Sequence, residues 1–313
     1  MIPALTNDDV LASVDARRAI ESTRAAFERH ARGEWEMPAK VYLDSPPHGD
    51  FRAMPARGDG LALLKWVTSF PHNPERGLPV VAGAIVLSDA TSGELLAIID
   101  CRAVTWLRTG AAAAVSAQAL AGRDAATVGI VGCGVNGAWA ARCLKAAGYG
   151  PGVCADVRDE VARSLADELE WRVGDRAEAA SQDVAATMTP GDRPVVFAAE
   201  LRPGQHLAVL GADAHGKAEV ERAAIERCRL FCDEWEQAAG GGELAGPVAA
   251  GSVGREDVTQ LGDVLIGAAE GRRSAEEITL FDSTGLAIQD LAIAGAAYDA
   301  WREGGIDAQT IRL

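Results

Sequence analysis

Lysine is scarce in this 313-residue chain: only Lys40, Lys65, Lys145 and Lys217 stand among 30 basic residues, and arginine supplies the other 26. Aromatic residues are also few, at 5%. Basic charge is in deficit overall, and the net charge of −15 excludes a general nucleic-acid or membrane-surface binder, since both need a basic face. No apolar run of ~18 residues is free of glycine, charge or polar breaks, so no transmembrane helix is expected. The opening MIPALTNDDVLASVD lacks the basic and apolar regions of a signal peptide, and a cytoplasmic location is the expectation. The six cysteines contain no CxxC pair. Cys228 and Cys232 have no accompanying histidine, and His30, His48, His72 and His206 form no constellation, so reduced thiols and no metal site are expected. What is abundant is alanine and glycine within a 48% hydrophobic chain, enough for a large core and long enough for two domains.

Residues 7–33 read as helix, with Asp15 as N-cap of ARRAIESTRAAFERHA and Gly33 as its end. From 34 to 100, short apolar runs broken by Pro and Gly predict a mixed or antiparallel sheet, with a hairpin at SDATSGEL. Residues 108–122 predict a small-residue helix able to approach another backbone closely. Over 125–235, strands (ATVGIV, GVCADV, VAATM, HLAVLG, RLFCD) alternate with helical or polar segments, the pattern of a parallel doubly wound sheet. After 280, GLAIQDLAIAGAAYDAWRE predicts one amphipathic helix returning to the first domain. The fold class is therefore α/β, with a nucleotide-type doubly wound domain inserted in a discontinuous α+β domain.

Between a strand and a helix, Gly132, Gly134 and Gly137 stand in G-x-G-x-x-G register. That spacing provides a tight turn, close backbone approach to a pyrophosphate and close helix–strand packing, with the phosphate on free N–H groups of the helix. Asp156 closes the next strand at about the distance, ~20 residues, expected of an acid that holds an adenosine ribose. It favours NAD, because its carboxylate repels a 2′-phosphate. Arg158, two residues on, offers the opposite charge that would admit NADP.

Upstream, Lys40, Arg52, Met54, Lys65 and Arg108 outline a cationic region. Lys65 interrupts the apolar LALLKWVTSF, where a lysine is costly to bury unless it meets an anion; the alternative is a charge reaching out of an edge strand. Arg108, read as opening the small-residue helix, opposes the helix dipole there and calls for an anion. Asp213 follows a strand end, where ligands bind in doubly wound sheets, and is a candidate proton carrier, with a turn-forming aspartate as the alternative.

Seven segments in order, MPAK, FRAMP, LKWVTSFPHN, TWLRTGAAAAVSAQALA, GIVGCGVNG, LRPGQHLAVLGADAHGKAE and ITLFDSTGLAIQDLA, make the chain resemble the ornithine cyclodeaminase/mu-crystallin family from about residue 36 to 298. The resemblance implies a homodimer, with a substrate and dimerisation domain of residues 1–118 and 286–313 and a Rossmann-type NAD(P) domain of residues 119–285. It implies Lys65 and Arg108 at the substrate carboxylate, joined by Lys40, with Met54 and Thr284 beside the substrate. Asp213 matches the acid/base carboxylate, and Lys65 is counted with it as catalytic. Val135, Asn136, Asp156, Thr189 and Ser283 match cofactor contacts, with Thr109 added to the same set. Three positions depart from the family pattern: Lys40 replaces the usual arginine, Arg52 replaces a glutamate near the substrate amines of ornithine cyclodeaminases, and His215 stands where proline is common.

The activity implied is NAD-dependent hydride abstraction at the α-carbon of an amino acid, with L-ornithine converted to proline and ammonia and the cofactor recycled. The alternatives are a reductase of cyclic imino acids such as pyrroline-2-carboxylate, or an alanine-type dehydrogenase. A non-catalytic, crystallin-like cofactor-binding protein is a third. Arg52 counts against ornithine, since a cation there disfavours a diamino acid.

Overall fold

The structure, a computed structural model, describes residues 1–214 and 216–312; His215 lies outside the described residues. The chain forms two compact units, Met1–Arg108 with Leu286–Leu313, and Thr109–Gly285. The first division falls earlier than the sequence suggests, inside a helix.

The first unit opens with β1 (Ile2–Leu5), α1 (Asn7–Ser13) and α2 (Ala16–Ala31). The single helix expected over 7–33 is thus two. Thr6 caps α1 in a reciprocal box with Asp9, and Asp15 caps α2 by accepting the Arg18 N–H (2.8 Å), which places a break between them. Gly33 ends α2 with φ +73°. An antiparallel meander follows: β2 (Val41–Ser45), β3 (Gly49–Gly58), β4 (Leu61–Ser69), β5 (Val81–Asp89) and β6 (Leu95–Asp100). The β5–β6 hairpin is tied by the Asp89 carboxylate, which accepts the Thr91 and Ser92 N–H groups. α3 (Cys101–Leu120) begins immediately after β6, with Asp100 accepting the Arg102 N–H (2.8 Å). Arg108 therefore sits well inside α3 rather than at its start, and the helix-dipole argument for its anion does not apply.

The second unit is an all-parallel sheet. Its strands are β7 (Val128–Val131), β8 (Gly152–Ala155), β9 (Arg172–Val173), β10 (Val184–Thr187), β11 (His206–Val209), β12 (Arg229–Cys232), β13 (Val258–Gln260) and β14 (Thr279–Asp282). The strand order is β13-β12-β14-β11-β10-β7-β8-β9, with helices α4 (Val135–Ala146), α5 (Asp159–Leu169), α6 (Arg176–Ala180), α7 (Arg222–Ile225), α8 (Trp235–Gly241), α9 (Ala245–Ala249) and α10 (Leu261–Leu265) among the connections. The order in which strands are added reverses between β7 and β10, the switch point where doubly wound sheets bind ligands. β7, β8, β10 and β11 are buried throughout, as strands covered on both faces must be. Small residues in α3 serve close packing: a Cβ on Gly110 would strike the backbone of Trp139 in α4. Lys145 in α4 is exposed and donates to the Leu169 carbonyl (2.7 Å) at the end of α5.

The chain then returns to the first unit as α11 (Ala287–Arg302) and β15 (Thr310–Ile311). The first-unit sheet reads β15-β1-β6-β5-β4-β3-β2, so β4 is internal and Lys65 does not lie on an edge strand. α11 packs against α2, β3 and β4. It is not amphipathic as expected: every residue from Ala287 to Gly295 is buried, including Gln289 and Asp290. β4 alternates, with Leu63, Lys65 and Val67 buried and Leu64 and Trp66 exposed. The exposed face continues through Val86, Val41 and Leu43. Among the described residues, no helix is long and apolar enough to cross a membrane.

Candidate functional site

In the first unit the structure brings Lys65 and Arg108 together on an acid that the sequence reading overlooked. Lys65 is 1% exposed, opposite Met54 in the β3–β4 register. Its ammonium donates to Asp290 Oδ1 and to Thr105 Oγ1, each at 2.8 Å. Thr105 spends its own proton on the Cys101 carbonyl (2.7 Å) and so can only accept from Lys65. Arg108 Nε lies 3.7 Å from the same Asp290 oxygen and makes no hydrogen bond; Asp290 Oδ2 also has none. Burial pulls the Lys65 pKa down from the ordinary lysine value; Asp290 opposes that shift and Arg108 adds to it. The signal for Asp290 was present: an acid inside the apolar run LAIQDLAIAG invites the same question as Lys65 inside LALLKWVTSF.

Two other basic residues of the first unit lie on β3 and before β2. Arg52, on the buried face of β3, is held by Asp50 through Nε (2.6 Å) and Nη2 (3.2 Å), with its guanidinium over the Tyr42 ring. Lys40 is half-buried at the entry to β2, the strand at the edge of the sheet.

In the second unit the glycine loop joins β7 to α4, and its glycines answer three different demands. Gly132 has φ +92°, and a Cβ there would meet the Met188 carbonyl at 2.5 Å. A Cβ on Gly137 would collide with the Gly132 carbonyl. One on Gly134 meets nothing within 4 Å, so the middle glycine faces open space at the start of α4, where no side chain caps the helix. Asn136 Oδ1 and Thr109 Oγ1 are buried without hydrogen-bond partners, and Val135 is half exposed. An open backbone approach at uncapped helical N–H groups fits a dinucleotide pyrophosphate. Asp156 accepts the Cys133 N–H through Oδ2 (2.7 Å) and the Arg158 N–H through Oδ1 (2.9 Å), which fastens the end of β8 to the loop. The Arg158 guanidinium lies 3.6 Å from the same carboxylate.

At the other strand ends, predicted contacts rest on buried carboxylates that carried no sequence signal beyond being acidic. Glu219 accepts the Thr189 N–H and hydroxyl through Oε1 (both 2.6 Å), and the Thr187 hydroxyl and Gly211 N–H through Oε2 (both 2.7 Å). Glu243 in turn accepts the N–H groups of Glu219 and Val220 (both 2.8 Å). Asp233 collects the Ser283 hydroxyl (3.2 Å), the Thr284 hydroxyl (3.0 Å) and the Gly285 N–H (2.8 Å). Thr189, Ser283 and Thr284 are therefore fixed from behind. Burial raises the pKa of Glu219, of Glu243 to about 7, and of Asp282 well above the usual carboxylate range. Asp213 pairs with Lys217 at 2.6 Å and is one-third exposed. His206 is a structural residue: its ring bridges Ser116 (3.1 Å) and Thr279 (2.9 Å), and burial holds its pKa down to about 3.

The chain as a whole is similar to known proteins. The profile of the ornithine cyclodeaminase/mu-crystallin family matches residues 4–305. An alanine dehydrogenase of Archaeoglobus fulgidus is 39% identical over 302 residues, 94% of either chain. The solved structure of an archaeal alanine dehydrogenase dimer with bound NAD matches with a TM-score of 0.95 at 37% identity, covering 99% of both chains. That of Thermococcus litoralis Δ1-pyrroline-2-carboxylate reductase, with NADH and L-proline, matches with a TM-score of 0.94 at 26% identity, covering 99% of this chain and 100% of the other. With its motifs, two-unit architecture and glycine loop in agreement, the chain belongs to the ornithine cyclodeaminase/mu-crystallin family.

Proposed function

We propose that the protein is an NAD-dependent oxidoreductase of a small amino or imino acid, exchanging hydride at the α-carbon with net turnover of the cofactor. The observation that carries this reading is the charge inventory of the first unit. Lys65 and Arg108 share Asp290, which Lys65 engages, and Asp50 on β3 is engaged by Arg52. Such a face suits a carboxylate, and with Asp290 and Asp50 both paired it offers neither of them to the second ammonium of a diamino acid, which disfavours cyclodeamination of ornithine.

In this reading Lys65 and Arg108 hold the substrate carboxylate, with Lys40 as a further cation and Met54 as apolar wall. Lys65 offers a third N–H and Arg108 an unbonded Nε, two donors for two carboxylate oxygens. The loop of Gly132, Gly134 and Gly137, with Val135, Asn136 and Thr109, would seat the dinucleotide, while Thr189 and Ser283 add contacts from the neighbouring strand ends. NAD is the proposed form, with Asp156 on the adenosine ribose; Arg158 keeps NADP as the alternative. Bound there, the nicotinamide supplies the acceptor or donor of hydride. Asp213 would move the proton of the substrate nitrogen, held in place by Lys217, and Thr284, fixed by Asp233, is the proposed further substrate contact.

A homodimer belongs to the same proposal. The exposed apolar sheet face of Val41, Leu43, Leu64, Trp66 and Val86 suits a second copy, and the archaeal alanine dehydrogenase is a dimer. A monomer mass by light scattering at micromolar concentration overturns it.

The test of activity follows cofactor absorbance and ammonia together. Pyrroline-2-carboxylate, or pyruvate with ammonia, should consume NADH stoichiometrically, and Asp213→Asn should lose most of that rate. L-ornithine yielding proline and ammonia without net NADH would establish cyclodeamination instead. Tight NAD binding without turnover of any of these would establish the non-catalytic reading.

A further inference from the structure

The Lys65 cluster holds two cations and one anion, and the anion is the part no substrate role explains. We propose that Asp290 is the positioning residue of the carboxylate clamp: it keeps the Lys65 ammonium charged and aimed while no substrate is bound. This rests on the proposed role of Lys65 as a carboxylate ligand.

The geometry carries it in three steps. Lys65 is buried, and two of its three N–H bonds are fixed, to Thr105 and Asp290. Thr105 is neutral, so Asp290 is the charge that compensates it. The groups facing Lys65 are Arg108 and Cys101 from α3, Asp290 from α11, Met54 across the register from β3, and Ile85 from β5. Burial pushes the Cys101 thiol up to about 11, so it is neutral at physiological pH. Arg108 repels a second cation. Without Asp290, burial and Arg108 act on Lys65 unopposed, and both favour the neutral amine. A neutral amine would present a lone pair to a carboxylate and lose most of its attraction. Asp290, itself without water contact and with Oδ2 unbonded, also cannot drift away to solvent. The pair thus retains the charge that a substrate carboxylate then meets.

The scarcity of lysine makes this measurable. Protein labelled with [13C]lysine gives four Cε signals, one for each lysine, and the Lys65 signal reports protonation directly. In the wild type it should keep its charged position through neutral pH. In Asp290→Asn it should titrate at least about two pH units lower than in the wild type. Above that point the KM for pyrroline-2-carboxylate or pyruvate should rise roughly tenfold or more and recover on acidification, with the Kd for NAD unchanged. Asp290→Ser, smaller than the native side chain, serves where the asparagine variant does not fold. A neutral Lys65 in the wild type at pH ~7 overturns the proposal with no variant needed. So does an unchanged Lys65 titration, or a KM increase that is the same at every pH. A shifted titration in a protein that turns over none of these substrates would uphold Asp290's hold on Lys65 and overturn only the proposed function.

Discussion

In the first unit, Lys65 and Asp290 are buried as an ion pair between β4 and α11, residues 225 positions apart in the chain. In the second, Glu219, Asp233, Glu243 and Asp282 are buried near one another at the strand ends, and their donors are backbone N–H groups and hydroxyls. The first arrangement keeps a charge alive in a place where water cannot, and leaves a net positive site. The second uses carboxylates as hubs that tie loop ends together, and the cost of burial appears as raised pKa values. Buried charge is met by a counter-ion in one unit and by backbone and hydroxyl donors in the other.

The largest test of this difference breaks the ion pair. Lys65→Met leaves Asp290 buried beside Arg108 alone and should cost roughly 3–5 kcal/mol of stability, read from the urea midpoint of the first unit. Adding Asp290→Leu removes the stranded charge and should recover more than half of that loss. Activity should remain lost in both. A double variant no more stable than the single one would mean that the pair is not the unit of stability.

A smaller effect is expected where the partners are neutral. In Glu219→Gln, one end of the side chain becomes an NH2 donor. The Thr187 and Thr189 hydroxyls can rotate to accept from it, but one backbone N–H, of Thr189 or Gly211, must face it. One lost buried bond corresponds to about 2 kcal/mol. NAD affinity should fall several-fold as Thr189 loosens. Lost stability with unchanged NAD affinity would remove Thr189 from the cofactor contacts.

How much of this was legible depended on whether the physics was local. The glycine loop was readable because its spacing is local, with open space at Gly134 and the Gly132 carbonyl against Gly137, although the Met188 carbonyl that faces Gly132 comes from the end of β10, far along the chain. Asp15 as a cap was readable for the same reason, and Thr6, which caps α1, was missed. Arg108 was given an anion through a helix-dipole argument that fails, and the anion beside it in the structure is Asp290. The cap at Asp100, which starts α3 at Cys101, went unrecognised, so Arg108 was placed at a helix terminus rather than on a buried face. Asp290 could be flagged as an acid in an apolar run, but its pairing with Lys65 depends on α11 returning across β4, which no local pattern encodes. Glu219 and Glu243 sit in short polar loops, where a buried hub and a solvated acid look alike in sequence.

The last contrast is in the sign of the pH dependence. Glu243 has its folded pKa raised from 4.5 to about 7, so in that window the folded state holds a proton that the unfolded state has released. Stability from this group therefore falls as pH rises, by roughly 1 kcal/mol between about pH 6 and 8. Lys65 is shifted downward from 10.5, so the unfolded state holds the extra proton in the window that ends there, and stability from this group rises with pH. Near neutrality the Glu243 slope should appear in the unfolding of the second unit. Glu243→Gln should flatten that slope while lowering stability at all pH values, because only one of the two N–H groups of Glu219 and Val220 then meets an oxygen. A slope that survives the substitution would assign the titration to Glu219 or Asp282 instead, and the network of acids would have to be treated as one titrating unit.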